Sequence, residues 1–156
     1  MKNGCIEAIG HHAEFMAENV IIELATNALD YDDLRDKLNF TNCGCIVSFI
    51  GITRGQDEGE AVIRLEFDAW QDSLEKVLRE LAEQAISRFM VLGIAMSHRI
   101  GSVAPEEPIV AIHVGAAHRT EGFAACSWLI DELKSQAPLW KKEVKSSGES
   151  WKAGLG

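Results

Sequence analysis

Four basic side chains that together suit an anionic ligand follow one another in one part of this chain. His118 and Arg119 stand where the residue pattern predicts the start of a helix, and Lys134 stands in the last turn of that helix. Pro138 ends the helix, because proline lacks a backbone donor and clashes with the preceding turn, and Lys141 follows it. The spacing indicates a site for a small anion.

The start of this helix is itself suited to an anion. Its first backbone N–H groups have no partner within the helix and lie at the positive end of the helix dipole. Thr120 is predicted to cap the helix by accepting from one of these groups. Arg119 adds a planar guanidinium that matches phosphate or carboxylate. Taken alone, His118 is also consistent with a purely structural role.

The position of Lys134 has two interpretations. Apolar residues of the helix recur at spacings of three and four, which predicts a buried stripe of Phe123, Cys126, Ile130, Leu133 and Ala137. Lys134 borders this stripe, and partial burial or a second cation such as Lys141 lowers a lysine pKa toward the range useful for proton transfer. Alternatively, Lys134 only complements the helix dipole. Lys142 and Lys145 are expected to be solvated surface charges.

Composition limits the classes of partner. The 156 residues carry a formal net charge of −9, which argues against general binding to nucleic acid or to an anionic membrane. Residues 113–145 nevertheless hold five of the 15 Lys and Arg residues and four of the 24 Asp and Glu residues. The acidic chain therefore contains a local basic region.

The cysteines and the chain start indicate a cellular setting. Cys43 and Cys45 are expected to be small buried residues of one strand face, because no cysteine has the spacing of a metal site. No signal peptide or membrane-spanning run is recognised. We therefore expect a reducing, cytoplasmic setting and no metal.

The elements that must position these side chains form an α+β pattern. Strands are predicted at Val20–Thr26, Cys45–Ile52, Ile63–Ala69, Ile94–Ile100 and Ile109–Ala116. Two main helices are predicted. One spans the apolar stripe from Leu74 to Phe89 after an Asp72–Glu75 capping box, and the other follows Arg119. Asp30 is predicted to cap a short third helix.

Details of these strands carry further expectations. Cys45–Ile52 is almost continuously apolar, which favours burial on both faces. The polar loop after it, with Arg54 at its root, connects it to Ile63–Ala69, whose alternation favours one wet face, and the two strands are expected to pair. Ser146–Ser150 is expected to be a turn-rich tail that Trp151 anchors.

One domain is expected over residues 20–152. Residues 1–19, with the His11-His12 pair, receive no functional role. Five separated motifs in this domain resemble one family, the large catalytic subunit of molybdopterin synthase. They are Gly44–Arg54, Ser97–Gly101, Ala117–Arg119, Ile130–Lys134 and Ala137–Glu143.

This resemblance implies an α/β-hammerhead-like fold with a mostly antiparallel sheet. It implies a homodimer of large subunits within a heterotetramer, with a small ubiquitin-like sulfur carrier at each outer end. The reaction would transfer sulfur from the carrier's C-terminal Gly-Gly thiocarboxylate to cyclic pyranopterin monophosphate, which forms the molybdopterin dithiolene of the molybdenum cofactor. No cofactor of the subunit's own is implied.

The resemblance also implies residue roles. Arg54, His118 and Arg119 would hold the precursor phosphate or the tail carboxylate. Lys134 and Lys141 would act on the pterin and on the acyl-sulfur adduct, as substrate-binding and catalytic groups.

Two positions depart from the family pattern. Arg54 is followed by Gly55 where the family usually has asparagine, and the segment Glu66–Ser73 differs from the usual Glu-x-Tyr-x-x-Met. Two other functions therefore stay open. One is a non-catalytic module that binds a ubiquitin-like tail or an anionic metabolite, and the other is a structural oligomerisation domain.

Overall fold

The computed structural model describes residues 19–152. The N-terminal segment to which the sequence assigned no role, with His11 and His12, lies outside the described residues except for Asn19, so the domain boundary stays a prediction. In chain order the elements are β1 (Val20–Ala25), α1 (Tyr31–Asp36), β2 (Cys45–Ile52), β3 (Gln56–Asp57), β4 (Glu60–Ala69), α2 (Gln71–Phe89), β5 (Gly93–Arg99), β6 (Gly101–Val103), β7 (Pro108–Ala116), α3 (Arg119–Gln136), β8 (Leu139–Lys145) and β9 (Gly148–Lys152).

The strands form two sheets. In the first sheet the order is β1-β5-β7-β2, with β1 and β5 parallel and the other pairs antiparallel. In the second sheet the order is β3-β4-β8-β9, and β6 also pairs with β4. The predicted α+β class, mostly antiparallel with two long helices, is confirmed.

The predicted pairing of β2 with β4 is wrong. The loop after β2 forms the small β3–β4 hairpin, in which Gln56 faces Ala61. β3 and β6 pair with one edge of β4, and β8 pairs with the other edge. β2 instead pairs with β7 and forms an edge of the first sheet.

Burial on both faces of β2 is also wrong. Ile46 is 40% exposed and Ile52 is 55% exposed, because β2 is an edge strand and α1 covers only part of that face of the sheet. The α1 helix contributes Leu34, which packs with Leu29 and Ala95. Its predicted cap is confirmed, since Asp30 accepts from the backbone N–H of Asp33 at 3.0 Å.

The α2 helix buries the predicted stripe. Its fully buried residues are Leu74, Leu78, Leu81, Ala82, Ala85 and Ile86. The predicted capping box is wrong, because the helix begins at Gln71 with Trp70 as the residue before it. Asp72 and Glu75 therefore fall at the second and fifth helical positions, where they cannot make the reciprocal cap.

The α3 helix buries a face rotated from the predicted one. Phe123 is 63% exposed, and the buried residues are Gly122, Ala125, Cys126, Leu129 and Leu133. The cause is close packing at Gly122, where an added Cβ would lie 2.9 Å from Cγ2 of Val47 on β2. Thr120 is not the cap, because the helix begins at Arg119 and His118 precedes it.

The predicted turn-rich tail after β8 is wrong, since residues 148–152 form β9 antiparallel to β8. Trp151 does not anchor the end, because it is 61% exposed. Within residues 19–152 no helix has both the length and the apolar character that a membrane crossing requires.

Candidate functional site

A cleft of about 430 Å³ lies between the two sheets, beside the C-terminal end of α3. Its walls come from the end of β2, the Arg54 loop, β4, the start of β7, α3 and β8. Three of the predicted site residues line it together: Arg54, Lys134 and Lys141. The structure thus brings three cations from three separate parts of the chain to one cavity.

Lys141 is the half-buried cation of the cleft. It lies on β8 opposite Phe67 of β4. Burial lowers the pKa of Lys141, the carboxylate of Glu143 opposes this, and the positive charges of Arg54, Lys152 and Lys134 lower it further. Its ammonium is therefore easier to deprotonate than that of a solvated lysine.

Lys134 is exposed, so the predicted partial burial of this side chain is wrong. The reason is the rotated face of α3, which points Leu133 into the core with 1% exposure. Lys134, the next residue along, lies at the margin of the cleft, where it contributes positive charge.

Arg54 follows β2 directly, in the loop that leads to β3. Its side chain is 80% exposed, and its Nη2 lies 3.9 Å from Oδ1 of Asp57. The preceding residue, Thr53, is 2% exposed and fixed by two backbone hydrogen bonds, to Glu106 and Glu107. The base of the loop is therefore firm, while the guanidinium is open to a ligand.

His118 and Arg119 lie elsewhere. Both are exposed at the start of α3, in a separate surface groove with Gly44 and Cys45. Arg119 and Lys134 are 15 positions apart on one helix, which separates them by roughly 22 Å at a rise of 1.5 Å per residue. A single chain therefore does not gather all five predicted residues into one site.

His98, which belongs to the Ser97–Gly101 motif but is not one of the predicted site residues, also lines the cleft. It is 2% exposed, its Nδ1 bonds to the backbone oxygen of Arg99 at 2.7 Å, and its ring packs edge-on against Phe67. Burial lowers the pKa of His98 to about 4. The ring is neutral at physiological pH and forms part of the cleft floor.

The sequence also missed the ion pairs of β8. Lys145 contacts Asp57 at 2.9 Å and Glu143 at 3.0 Å, with its side chain 11% exposed. Lys142 contacts Glu66 at 2.7 Å on the other face of the strand. The prediction that Lys142 and Lys145 are solvated surface charges is therefore wrong. Predicting a strand over residues 139–145 would have indicated these ion pairs, because alternate residues of a strand share a face.

Other chemistry is sparse in the described residues. Between Asn19 and Lys152, no group of three or more His, Cys, Asp or Glu side chains is placed to hold a metal ion. Of the cysteines between Asn19 and Lys152, Cys43 and Cys45 are partly buried free thiols and Cys126 is buried. The two cysteines predicted to be buried on one strand are thus less buried than expected, since Cys43 precedes β2.

Comparisons with known proteins identify a family and a shared fold. The family model described as MoaE protein matches residues 24–136. The molybdopterin synthase catalytic subunit of Ralstonia nicotianae is 38% identical over 108 residues, which cover 69% of this chain and 61% of that protein. The match to this relative thus spans less than two thirds of its length.

Two solved structures share the fold. The molybdopterin synthase structure from Staphylococcus aureus has a TM-score of 0.77 and 25% identity, over 86% of this chain and 96% of that one. A Helicobacter pylori complex of subunits 1 and 2 of molybdopterin-converting factor has a TM-score of 0.70 and 21% identity, over 83% and 88%. The second likeness concerns the fold alone. The predicted fold class of the family is confirmed.

Proposed function

The chain belongs to the MoaE family, and from this membership we propose that it is the catalytic subunit of a molybdopterin synthase. The reaction would transfer sulfur from a C-terminal thiocarboxylate of a small partner to cyclic pyranopterin monophosphate, giving the dithiolene of molybdopterin. The observation that carries the proposal is the convergence of Arg54, Lys134 and Lys141 on one cleft.

The charges of the cleft suit this chemistry. The precursor is a phosphate ester and the donor tail ends in an anion, so both ligands are attracted by the same cations. Arg54 offers a planar guanidinium from its loop, and Lys134 adds an exposed ammonium from α3. The proposed role of Arg54 and Lys134 is to bind the anionic groups of the two ligands in the cleft.

Lys141 is the proposed proton-transfer group. General acid–base catalysis is most effective when the pKa of the group lies near the working pH. The pKa of Lys141 is lowered by burial, which moves it in that direction. Its proposed role is to move protons at the pterin and at the acyl-sulfur adduct.

The proposed partner is a small ubiquitin-like sulfur carrier with a flexible Gly-Gly tail. The cleft lies between two sheets and is lined by apolar residues such as Phe49 and Ile109 as well as by cations. A narrow tail without large side chains fits such an opening, where a folded domain does not. The setting for this exchange would be the cytoplasm.

We propose that His118 and Arg119 act in the cleft of a second copy. Within the described residues β2 is one of the two edge strands of the first sheet. Cys45, at the start of β2, lines the groove that holds His118. Ile52, at the end of β2, and the next residue, Thr53, line the cleft. If two copies pair through β2 about a two-fold axis, their β2 strands run antiparallel. The start of β2 in one copy then lies beside the end of β2 in the other.

Such a dimer would join the two halves of the predicted site. Ile46 and Ile52, both exposed on β2, would be covered at the same contact. The homodimer within a heterotetramer that the family resemblance implies would have its physical basis in this edge strand.

The direct test is to mix the purified protein with a thiocarboxylated carrier and the pterin precursor, then to measure dithiolene product. We expect product with the full carrier and none with a carrier that lacks its last two glycines, which retains most of the interface. Binding of the carrier without any product would instead identify the chain as a non-catalytic tail-binding module.

A further inference from the structure

Four ionic side chains form a cluster directly beside the cleft, which we call the β8 ion cluster. Lys145 Nζ lies 2.9 Å from Asp57 Oδ2 and 3.0 Å from Glu143 Oε1. Lys152 Nζ lies 3.7 and 3.8 Å from the same two oxygens. Two carboxylates from β3 and β8 are thus neutralised by two lysines from β8 and β9.

The cluster is largely shielded from water. The side chains of Lys145 and Glu143 are 11% and 8% exposed. Ion pairs in such surroundings are screened less than surface pairs, and removing one member leaves the other charge uncompensated. The loss of Lys145 would therefore drive Glu143 toward another cation.

Lys152 already lies near Glu143 but is shared with Asp57, so Lys141 is the further cation that Glu143 would meet. Lys141 and Glu143 are two positions apart on β8, so their side chains share a face, and both line the cleft. Among residues 19–152 Lys141 forms no ion pair, whereas Glu143 is paired with Lys145 and, at a longer distance, with Lys152. Whether the Lys141 ammonium forms an ion pair or is free to act in the cleft therefore depends on which lysine pairs with Glu143.

We propose that Lys145 is a positioning residue for the reaction in the cleft. It holds Glu143 in the β8 ion cluster and so keeps Lys141 from being locked in an ion pair with Glu143. This inference rests on the role proposed for Lys141. The charged or titratable side chains that face Lys141 come from the Arg54 loop, β3, β5, α3, β8 and β9: Arg54, Asp57, His98, Lys134, Glu143 and Lys152.

The charges around Lys141 agree with this assignment. Of these groups, Glu143 is the strongest one that raises the pKa of Lys141 against the effect of burial. A carboxylate that moves to within about 4–6 Å raises the pKa of an ammonium further, because it favours the charged form. Release of Glu143 from Lys145 would thus reverse the property on which proton transfer by Lys141 depends.

The test measures the Lys141 pKa itself. Lysines are reductively methylated with ¹³C, and the Lys141 resonance is assigned by its loss in Lys141→Arg. In Lys145→Met we expect the Lys141 pKa to rise by about one pH unit or more. The matched control is Lys142→Met, which removes a lysine with two carboxylate partners, Glu66 and Glu149, from the opposite face of the same strand. It should leave the Lys141 pKa unchanged.

A double variant separates the proposal from a simple loss of positive charge. The rise should disappear in Lys145→Met with Glu143→Gln, because the competing carboxylate is gone. Lys145→Arg should restore the parent value. If Lys145→Met fails to fold, Lys145→Gln keeps a donor in the cluster and should give the same Glu143-dependent rise.

Several results would overturn the proposal: an unchanged or lower Lys141 pKa in Lys145→Met, an equal rise in Lys142→Met, or a rise that persists with Glu143→Gln. The NMR titration needs neither partner nor substrate, so it stands apart from the test of the proposed function. In the activity assay, the limb of the pH–rate profile that reports Lys141 should move to higher pH in Lys145→Met.

Discussion

Two lysines border the cleft, and burial separates their roles. Lys134 is exposed, whereas Lys141 is partly buried and its pKa is lowered. A solvated ammonium acts through its charge, and arginine can replace it in that role. A desolvated ammonium can also give up its proton, which arginine cannot readily do. Burial therefore favours Lys141 as the proton-transfer group, and the catalytic role that the resemblance implies for both lysines stays a prediction.

Arginine substitutions at the two positions test this distinction. Lys141→Arg keeps the charge but removes the proton-transfer group, so dithiolene formation should fall by about 10²–10⁴-fold. Lys134→Arg should retain most of the parent rate, since its charge remains. The measurement is the single-turnover rate with the thiocarboxylated carrier. Equal losses in the two variants would contradict the assignment.

Two histidines between Asn19 and Lys152, His98 and His113, are buried and give stability a defined pH dependence. His98 has a pKa of about 4 in the folded protein, and burial also lowers the pKa of His113. An unfolded histidine titrates near 6.5, so below that pH the unfolded chain binds more protons than the folded one. The free energy of unfolding should therefore fall as the pH falls from about 6.5 toward 4.

Urea denaturation at pH 7.5 and pH 5 checks this expectation. His98 alone should account for about 2 kcal/mol of lost stability at pH 5. His98→Asn removes the titration and should show a smaller loss over the same interval. The carboxylates with lowered pKa, such as Asp57 and Glu66, add to the loss only below about pH 4.5. The same loss in parent and variant would contradict the role of His98.

At the scale of elements, sequence periodicity placed the three helices and five of the described strands well, missed β3, β6, β8 and β9, and predicted the buried faces less well. The stripe of α2 was predicted correctly because its apolar residues are dense and bulky. The face of α3 was not, because Gly122 and Ala125 determine it by their small size, which a hydrophobic pattern does not register. In β4 the register shift between Val62 and Arg64 leaves Ile63 50% exposed despite the alternation.

The junction between β2 and α3 depends on a close backbone approach at Gly44. A Cβ at this position would lie against the carbonyl oxygen of Ala117, far inside van der Waals contact. Gly44→Ala must therefore shift the backbone that leads to His118, and overpacking of this kind costs about 1–3 kcal/mol. The loss is measurable as a lower free energy of unfolding in urea.

Gly55 provides the matched control. A Cβ there meets only Cβ of Pro105, at 3.9 Å, which is ordinary contact. Gly55→Ala should therefore change the free energy of unfolding by less than about 0.5 kcal/mol. If Gly44→Ala were equally harmless, the close approach would not constrain this junction.

At the scale of the whole molecule, one chain holds two basic regions at opposite ends of α3. The sequence predicted Arg54, His118, Arg119, Lys134 and Lys141 as one set because the resemblance joined them. The predicted helix already separates Arg119 from Lys134 by roughly 22 Å at 1.5 Å per residue, but spacing along the chain cannot show that Arg54 and Lys141 join Lys134 rather than Arg119. That fact depends on where α3 lies relative to the sheets, and the proposed two-fold contact through β2 would reunite the set.

Mixed dimers of two defective chains test the shared site. If Arg119 of one copy serves the cleft of the other, a dimer of one Lys141→Ala chain and one Arg119→Ala chain contains one site with both parent residues and one site with neither. Purified through two different tags, this dimer should recover about half the parent activity, although each variant alone is nearly inactive. Lys141→Ala paired with Lys134→Ala is the control, because both residues line the same cleft of one chain. That pair should not recover, since each site then lacks one lysine. Recovery in neither mixture would contradict the shared site, because Arg119 of one copy would then not complete the cleft of the other.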